Sequence, residues 1–314
     1  MSDSKREAQQ APVADAVAAL RRGELVILPT ETVYGLAADA ANPAAVARIY
    51  EAKGRPSFNP LIAHVSGLIA AERIARLDER AQRLAEAFWP GPLTLVAPIA
   101  DPGAVCDLAR AGLETVAVRA PGHLLARAVL REFGGPVVAP SANRSGRPSP
   151  TTLADAVAET GFAAAAALDG GPCAVGLEST VVAVLEGPVR LLRPGGVTRA
   201  QIEALVGPLA EAELDARRSP GRLTLHYAPD APVRLNAAGP APGEAFLGYG
   251  PACADDGLNL SPTGDLRQAA ANLFTYLRAA DRRSPTGIAV APIPGEGLGE
   301  AINDRLRRAA GFVG

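Results

Sequence analysis

Short apolar runs alternate with amphipathic stretches along most of this chain, and that alternation limits its folding most. Runs of about four to seven apolar residues end at proline or glycine, and between them apolar positions recur with helical spacing. Strands are expected at 25–29, 60–65, 93–99, 115–121, 136–140, 166–169, 180–185 and 189–195. Helices are expected at 13–22, 43–55, 79–89, 123–133, 152–160 and 198–207. In the helix at 43–55, Val46, Ile49 and Tyr50 fall on one face. Proline sits near its start and glycine just past its end. Thr198 is placed to cap the helix that follows it. The stretch 30–40 reads as a polar loop, and the segment between 99 and 115 as a turn-forming connection. Interleaved strands and helices exclude the all-α and all-β classes. Because the alternation is not strict, a twisted mixed sheet is expected rather than a doubly wound parallel one.

A second, smaller α/β pattern follows. Residues 208–230 are polar with little periodicity; strands are then expected at 232–236, 244–250 and 286–293, and helices at 264–283 and 296–310. The expected organisation is a larger unit at 10–207, a linker or lid at 208–230, and a small domain at 231–314.

Composition narrows the functional classes. Hydrophobic residues are 48% and charged residues 20%, enough for a core, and the net charge is -2. A chain so nearly neutral does not coat nucleic acid indiscriminately. Cys106, Cys173 and Cys253 are far apart and form no CxxC, which argues against a disulfide scaffold or a cysteine zinc site. His64, His123 and His226 leave little for a metal cluster, and no metal-ligating residues are assigned. The polar start lacks a signal-peptide core, and no apolar run approaches the ~20 residues that cross a bilayer. The expected setting is cytoplasmic, without membrane association.

Lysine occurs only at Lys5 and Lys53; every other basic residue is arginine. Lys53 is therefore the single point-charge cation inside the folded part, a group suited to phosphate. Walker, dinucleotide-fingerprint, HExxH and GxSxG patterns are all absent. What the chain has instead are four polar clusters around strand ends: 29–36 (PTETVYGL), 53–60 (KGRPSFNP) with His64, 140–149 (PSANRSGRPS), and 176–182 (GLESTVV) with 191–195 (LLRPG). They bring together Lys53, Arg55, Arg144, Arg147, Arg193, Asn59, Asn143 and several hydroxyls. That inventory suits a phosphate-rich ligand held by side chains outside the ends of a sheet.

These clusters, with WPGPLT and VAVRAP between them and in this order, resemble the Sua5/YrdC/YciO family over residues 25–197. The linker sequence SPGRLTLHYAP (219–229) and the small domain after it resemble the long Sua5 type. The linker departs from a common form of the motif in having Arg222, Leu223, Thr224 and Leu225 after SPG. The resemblance implies a YrdC-like fold with a concave ligand cleft and a small C-terminal Sua5 domain. It implies a nucleotidyltransferase that makes threonylcarbamoyl-AMP and pyrophosphate from L-threonine, bicarbonate and ATP. Other proteins would then transfer the threonylcarbamoyl group to adenosine 37 of ANN-decoding tRNAs, giving t6A. It further implies Mg²⁺ arriving with ATP, and tRNA binding that is at most weak.

Position by position, the resemblance assigns threonine binding to Thr32, His64, Arg119 and Ser179. A guanidinium such as that of Arg119 matches a carboxylate in bidentate fashion. ATP binding falls to Lys53, Arg55, Asn59, Thr115, Ser141, Asn143, Ser149, Arg193 and Tyr227. Lys53 and Arg55 are given the catalytic role of countering charge on the transferring α-phosphate and the leaving pyrophosphate. No covalent nucleophile is required, since a carbamate can itself attack phosphorus, and alignment with charge stabilisation suffices. Glu31 and Glu178 are the candidate carboxylates near a metal. The competing reading is an RNA-binding or ribosome-associated module of the same fold, against which the sequence sets few aromatics and no basic run.

Overall fold

The computed structural model describes residues 12–56, 59–211, 226–253 and 258–311. Of the expected linker, residues 212–225 therefore lie outside the described part, including the departure at Arg222.

In chain order the larger unit contains α1 (Val13–Arg21), β1 (Leu25–Leu28), β2 (Gly35–Asp39), α2 (Pro43–Lys53), β3 (Ile62–His64), α3 (Leu68–Glu72), α4 (Glu79–Phe88) and β4 (Leu93–Pro98). It continues with α5 (Asp107–Arg110), β5 (Thr115–Arg119), α6 (Leu124–Phe133), β6 (Val137–Val138), α7 (Leu153–Thr160), β7 (Ala164–Ala167), β8 (Thr180–Ala183), β9 (Arg190–Arg193), α8 (Arg199–Val206) and β10 (Ala210–Glu211). The smaller unit holds β11 (Val233–Arg234), β12 (Glu244–Leu247), α9 (Leu266–Asp281), β13 (Gly287–Val290) and α10 (Leu298–Ala309).

Ten strands form one mixed sheet, in the order β10-β9-β8-β4-β5-β3-β6-β2-β1-β7. The expected α/β class and mixed sheet are both present. Four details differ from the sequence reading, the first being the short helix α3, which lies outside the expected helices. The polar stretch 30–40 contains β2, antiparallel to β1; its run of small residues gives little strand signal, and pairing with β1 and β6 decides it. The connection before β5 contains the single turn of α5. The larger sheet also extends past 207, because β10 pairs in parallel with β9, a two-residue strand too short to show a period.

Local sequence explains where α2 begins and ends. The Asn42 side chain accepts from the backbone N–H of Ala44 (3.0 Å) and Ala45 (3.2 Å), a cap of about 1 kcal/mol. Pro43 opens the helix, and Gly54, at φ 59°, closes it in a left-handed conformation. Thr198 and Gln201 form the reciprocal capping box at α8.

Strand alternation decides what each face of the sheet carries. Val26 and Leu28 of β1, Ala37 of β2 and Val137 of β6 pack with α1 and α6. Leu25 and Ile27 face the other way, into the main core with α2 and α4. Following the pairing outward from Val137, the α1/α6 face continues through His64 and Arg119 to Ala117, Val96, Val181 and Arg193. There α1 and α6 have ended. The small apolar cluster of Val96, Ala117, Val181 and Ala183 includes no helix residue among the described ones. One end of one sheet face is thus left open to a ligand.

The smaller unit is a three-stranded parallel sheet, β11-β13-β12, backed by α9 and α10. It is seated firmly on the larger unit, since Val33 and Leu177 belong to its apolar core. A Cβ at Gly176 would lie 2.5 Å from Ala271 Cα and 2.6 Å from the Ala270 carbonyl oxygen. Only glycine, here at φ 70°, lets α9 approach that loop. Arg278 of α9 donates to Glu159 of α7 at 2.9 Å.

Candidate active site

At the open end of that face lies a cleft lined by Thr32, Arg55, His64, Arg119, Ser141, Glu178, Ser179, Arg193, His226 and Tyr227, with apolar residues between them. The cavity left among them is about 60 Å³.

Arg119, at the end of β5, anchors one side. Its Nε donates to the Gly91 carbonyl (3.1 Å), Nη1 to Thr32 Oγ1 (2.9 Å) and Nη2 to Glu31 Oε1 (2.5 Å). Glu31 Oε2 accepts from the Gly122 N–H at 2.9 Å. Burial works to raise the Glu31 carboxyl, but the Arg119 charge and these hydrogen bonds hold it below its ordinary value. Thr30 and Thr32 share a hydrogen bond of 2.8 Å. Next to Arg119 in register is His64. Burial, then the Arg119 charge, pushes its imidazole down to about 3, so the ring is neutral. Its Nδ1 lies 3.1 Å from the Ile62 carbonyl, which can only accept, so Nδ1 carries the proton and Nε2 accepts.

Ser179 and Arg193 form the opposite wall. Ser179 Oγ shares a 2.7 Å hydrogen bond with Thr94 Oγ1, and Arg193 Nη2 donates to Ser179 Oγ at 3.1 Å. Arg193 Nε and Nη2 also donate to the Ser179 carbonyl. Gly195 is obligatory beside them, because a Cβ there would sit 2.4 Å from the Glu178 carbonyl oxygen and from the Thr180 nitrogen.

The cations crowd one another. Burial pushes the Arg55 guanidinium down to about 10, and the like charge of Arg193 adds to that. Burial lowers Arg193 as well, and it takes Lys53 well below the ordinary lysine value, with Arg55 contributing. An anion among them would relieve this repulsion. Among the described residues, Arg55 Nε is buried without a partner, as is His226 Nδ1. Tyr227, at φ 63°, is a non-glycine residue held in a left-handed conformation, the kind of strain that gathers at ligand sites.

Of the sequence-predicted residues, Thr32, Arg55, His64, Ser141, Arg119, Ser179, Arg193 and Tyr227 all line the cleft. Lys53 does not: its Nζ donates to the Ser141 and Asn143 carbonyls, and its own carbonyl accepts from Ser145 N–H at 2.7 Å. It ties the end of α2 to the SAN loop, behind the lining. Asn143 is buried behind the same loop, its Nδ2 on the Arg144 and Arg147 carbonyls and its Oδ1 unpartnered. Asn59 is also buried with an unpartnered Oδ1. The Ser149 hydroxyl is engaged with Glu178. Thr115 shares a face of β5 with Ala117 and Arg119 but opens the strand, about 13 Å from Arg119 at the usual rise. Arg144 pairs with Glu159 inside the larger unit, and Arg147 pairs with Asp230 and with Asp281 of α9, the last joining the two units.

Sequence reading missed Thr94 and Arg305. Thr94 offers no local signal, since it sits in an ordinary strand. Arg305 offers one: it occupies the buried stripe of α10 between Ile302 and Ala309, where an apolar residue is the default. Glu31 and Glu178, the candidate metal carboxylates, are both committed to arginines, Arg119 and Arg305.

Fold and site together define an α/β protein with a cleft whose walls carry the guanidinium groups of Arg55, Arg119 and Arg193. The chain belongs to the Sua5/YrdC/YciO family. The family described as "Telomere recombination" (Sua5_yciO_yrdC) matches residues 18–195, and the one described as "Threonylcarbamoyl-AMP synthase, C-terminal domain" matches residues 197–311. The chain is 41% identical to the threonylcarbamoyl-AMP synthase of Bacillus subtilis, over 95% of this chain and 93% of that one. It is 40% identical to the Pyrococcus abyssi protein of the same name, over 93% and 92%. A crystal structure of P. abyssi Sua5 complexed with L-threonine superposes with a TM-score of 0.87, at 37% identity, covering 96% of this chain and 94% of that one.

Proposed function

We propose that this chain is an L-threonylcarbamoyladenylate synthase, and that its product feeds formation of t6A at adenosine 37 of ANN-decoding tRNAs. The observation that carries the reading is the placement of Arg119, His64, Ser179 and Arg193 along one face of adjacent strands, with Arg55 beside them. The relatives named above support it.

Threonine carboxylate is matched to the Arg119 guanidinium, with Thr32 and Ser179 as hydroxyl partners. His64, neutral, accepts through Nε2. The amine of threonine and bicarbonate give a carbamate with loss of water. A carbamate oxygen then attacks the α-phosphorus of ATP, the bond to the β,γ-diphosphate breaks, and pyrophosphate leaves. Arg55 and Arg193 counter the charge on the α-phosphate and the leaving group. Lys53 acts from behind, fixing the loop that carries Ser141 and Asn143.

Mg²⁺ is assigned as part of the nucleotide substrate. Glu31 and Glu178 are taken up by arginines, and the described residues hold no group of three metal-ligating side chains. Ligand pockets commonly measure about 300–1,000 Å³, well above the space here. Tyr227 and His226 therefore shift when nucleotide enters, the movement expected of a cover. The described residues contain no helix long and apolar enough to cross a membrane, and we place the enzyme in the cytoplasm.

The test is a product assay with ATP, Mg²⁺, L-threonine and bicarbonate, following pyrophosphate and identifying the adenylate by mass. Product that requires both threonine and bicarbonate is expected. Folded, ATP-binding protein that forms none would overturn the reading in favour of an RNA-binding module, tested next with duplex RNA.

A further inference from the structure

We propose that Arg305, carried by α10 of the smaller unit, is a positioning residue of the nucleotide cleft: it fixes Glu178 and Tyr227, so the smaller unit is part of the site rather than an appendage. The inference rests on the synthase reading for the identity of the nucleotide.

Arg305 is 0% exposed. Its Nε donates to Glu178 Oε2 at 2.8 Å, and its Nη1 donates to the Pro194 carbonyl at 2.9 Å. Its Cζ lies 5.3 Å from the centre of the Tyr227 ring, within cation–π range. Each contact ends at the cleft. Glu178 and Tyr227 line it, and Pro194 follows Arg193, which also lines it. Asp304, its chain neighbour, receives the remaining hydrogen bond from Nη1 at 2.7 Å.

Stability alone does not explain this arrangement. A buried ion pair is often no better than a well-packed apolar residue of the same volume. Here the pair also leaves Arg305 Nη2 buried with no partner among the described residues. What a leucine could not do is hold three groups at once by direction. Glu178 is pinned from both sides, by Arg305 on Oε2 and by Ser149 on Oε1. That fixes the backbone just before Ser179. Tyr227 is held by Phe274 of α9, at 5.4 Å between ring centres, and by Arg305, which lies over its ring. Both supports come from the smaller unit. A relative from Mycobacterium tuberculosis aligns with only 62% of this chain while using 89% of its own length. In this chain, by contrast, removing α10 would strand a buried carboxylate at the cleft.

Arg305→Met alone leaves Glu178 unpaired and can fail to fold, so the test is a cycle in the Glu178→Gln background. Urea midpoints and far-ultraviolet circular dichroism check folding of every variant. The expected result is an ATP KM at least tenfold higher for Glu178→Gln/Arg305→Met than for Glu178→Gln alone. L-threonine affinity, measured by calorimetry, is expected within twofold between those two. Arg305→Lys in the natural background, which keeps the charge and loses the fork, is expected to fall between the extremes. An ATP KM within twofold across the Glu178→Gln pair overturns the proposal, because it leaves Arg305 a purely structural role. If the natural protein makes no adenylate, the synthase reading has failed separately. Binding of a fluorescent ATP analogue then decides on Arg305: a tenfold loss of affinity supports it, and unchanged affinity overturns it.

Discussion

Replacing Arg119 by lysine isolates the group assigned to threonine carboxylate. The natural guanidinium donates at three points at once, to Gly91, Thr32 and Glu31. A lysine keeps one unit of charge near Glu31 but has no planar fork, so it cannot hold that geometry and meet a carboxylate with two parallel bonds. Losing one charge-assisted hydrogen bond to the substrate costs about 1.5–3 kcal/mol. At about 1.4 kcal/mol per decade, that is roughly a 10- to 150-fold weaker affinity for L-threonine. Calorimetric titration with L-threonine reads it directly, and titration with ATP in the same samples serves as the control, expected to change little. Arg119→Gln is the harsher companion. It leaves the Glu31 carboxylate buried without its cation, at about 3–5 kcal/mol. In the natural protein the depressed Glu31 value contributes stability above the ordinary carboxylate range, which is lost as the pH falls through the folded value. In Arg119→Gln only the backbone N–H bonds of Gly122 and Glu31 still oppose burial, so the carboxyl lies higher than in the natural protein, and the deficit is largest near neutral pH and shrinks on acidification as Glu31 takes up a proton. A folded Arg119→Lys protein with threonine affinity within threefold of the natural one would refute the assignment.

Further outcomes follow from the same geometry. Lys53→Met should slow adenylate formation on the order of 10²-fold in the pyrophosphate assay by misplacing the loop that carries Ser141; a loss under threefold would show that this tether does not position the site. Gly195→Ala should destabilise the fold by about 1–3 kcal/mol or more in urea, because its Cβ has backbone atoms at 2.4 Å; an unchanged midpoint would contradict the packing described. His64 titrates near 3 in the folded chain against 6.5 as the ordinary value. The unfolded chain thus binds the extra proton between those limits, and stability falls as pH drops below about 6.5. At about 1.4 kcal/mol per unit, lowering the pH from 6.5 to 5 should cost about 2 kcal/mol through this residue. His64→Gln should lose less stability than the natural protein over that interval by that amount, and equal losses would count against a buried neutral ring.

What the sequence determined by itself is the part that local chemistry controls. Apolar runs stopped by proline or glycine marked most strands, and Pro43 and the Thr198 cap marked where helices begin. The ordered polar clusters, with VAVRAP and the linker's HYAP, pointed to the family and to eight of the cleft residues, because recognising a carboxylate and a polyphosphate demands particular side chains wherever they sit. The tertiary structure decided what depends on partners distant in the chain. β2 became a strand because β1 and β6 flank it, although its own residues read as loop. Lys53 kept its place beside the site but spends its donors on the Ser141 and Asn143 carbonyls, 88 and 90 positions along the chain. Glu178 meets Arg305 across the join between the two units, 127 positions apart. Periodicity and composition record which residues are apolar and how often they recur. They do not record which strand lies beside which, and it is that adjacency which leaves one end of one sheet face open and sets Arg119, Ser179 and Arg193 around it.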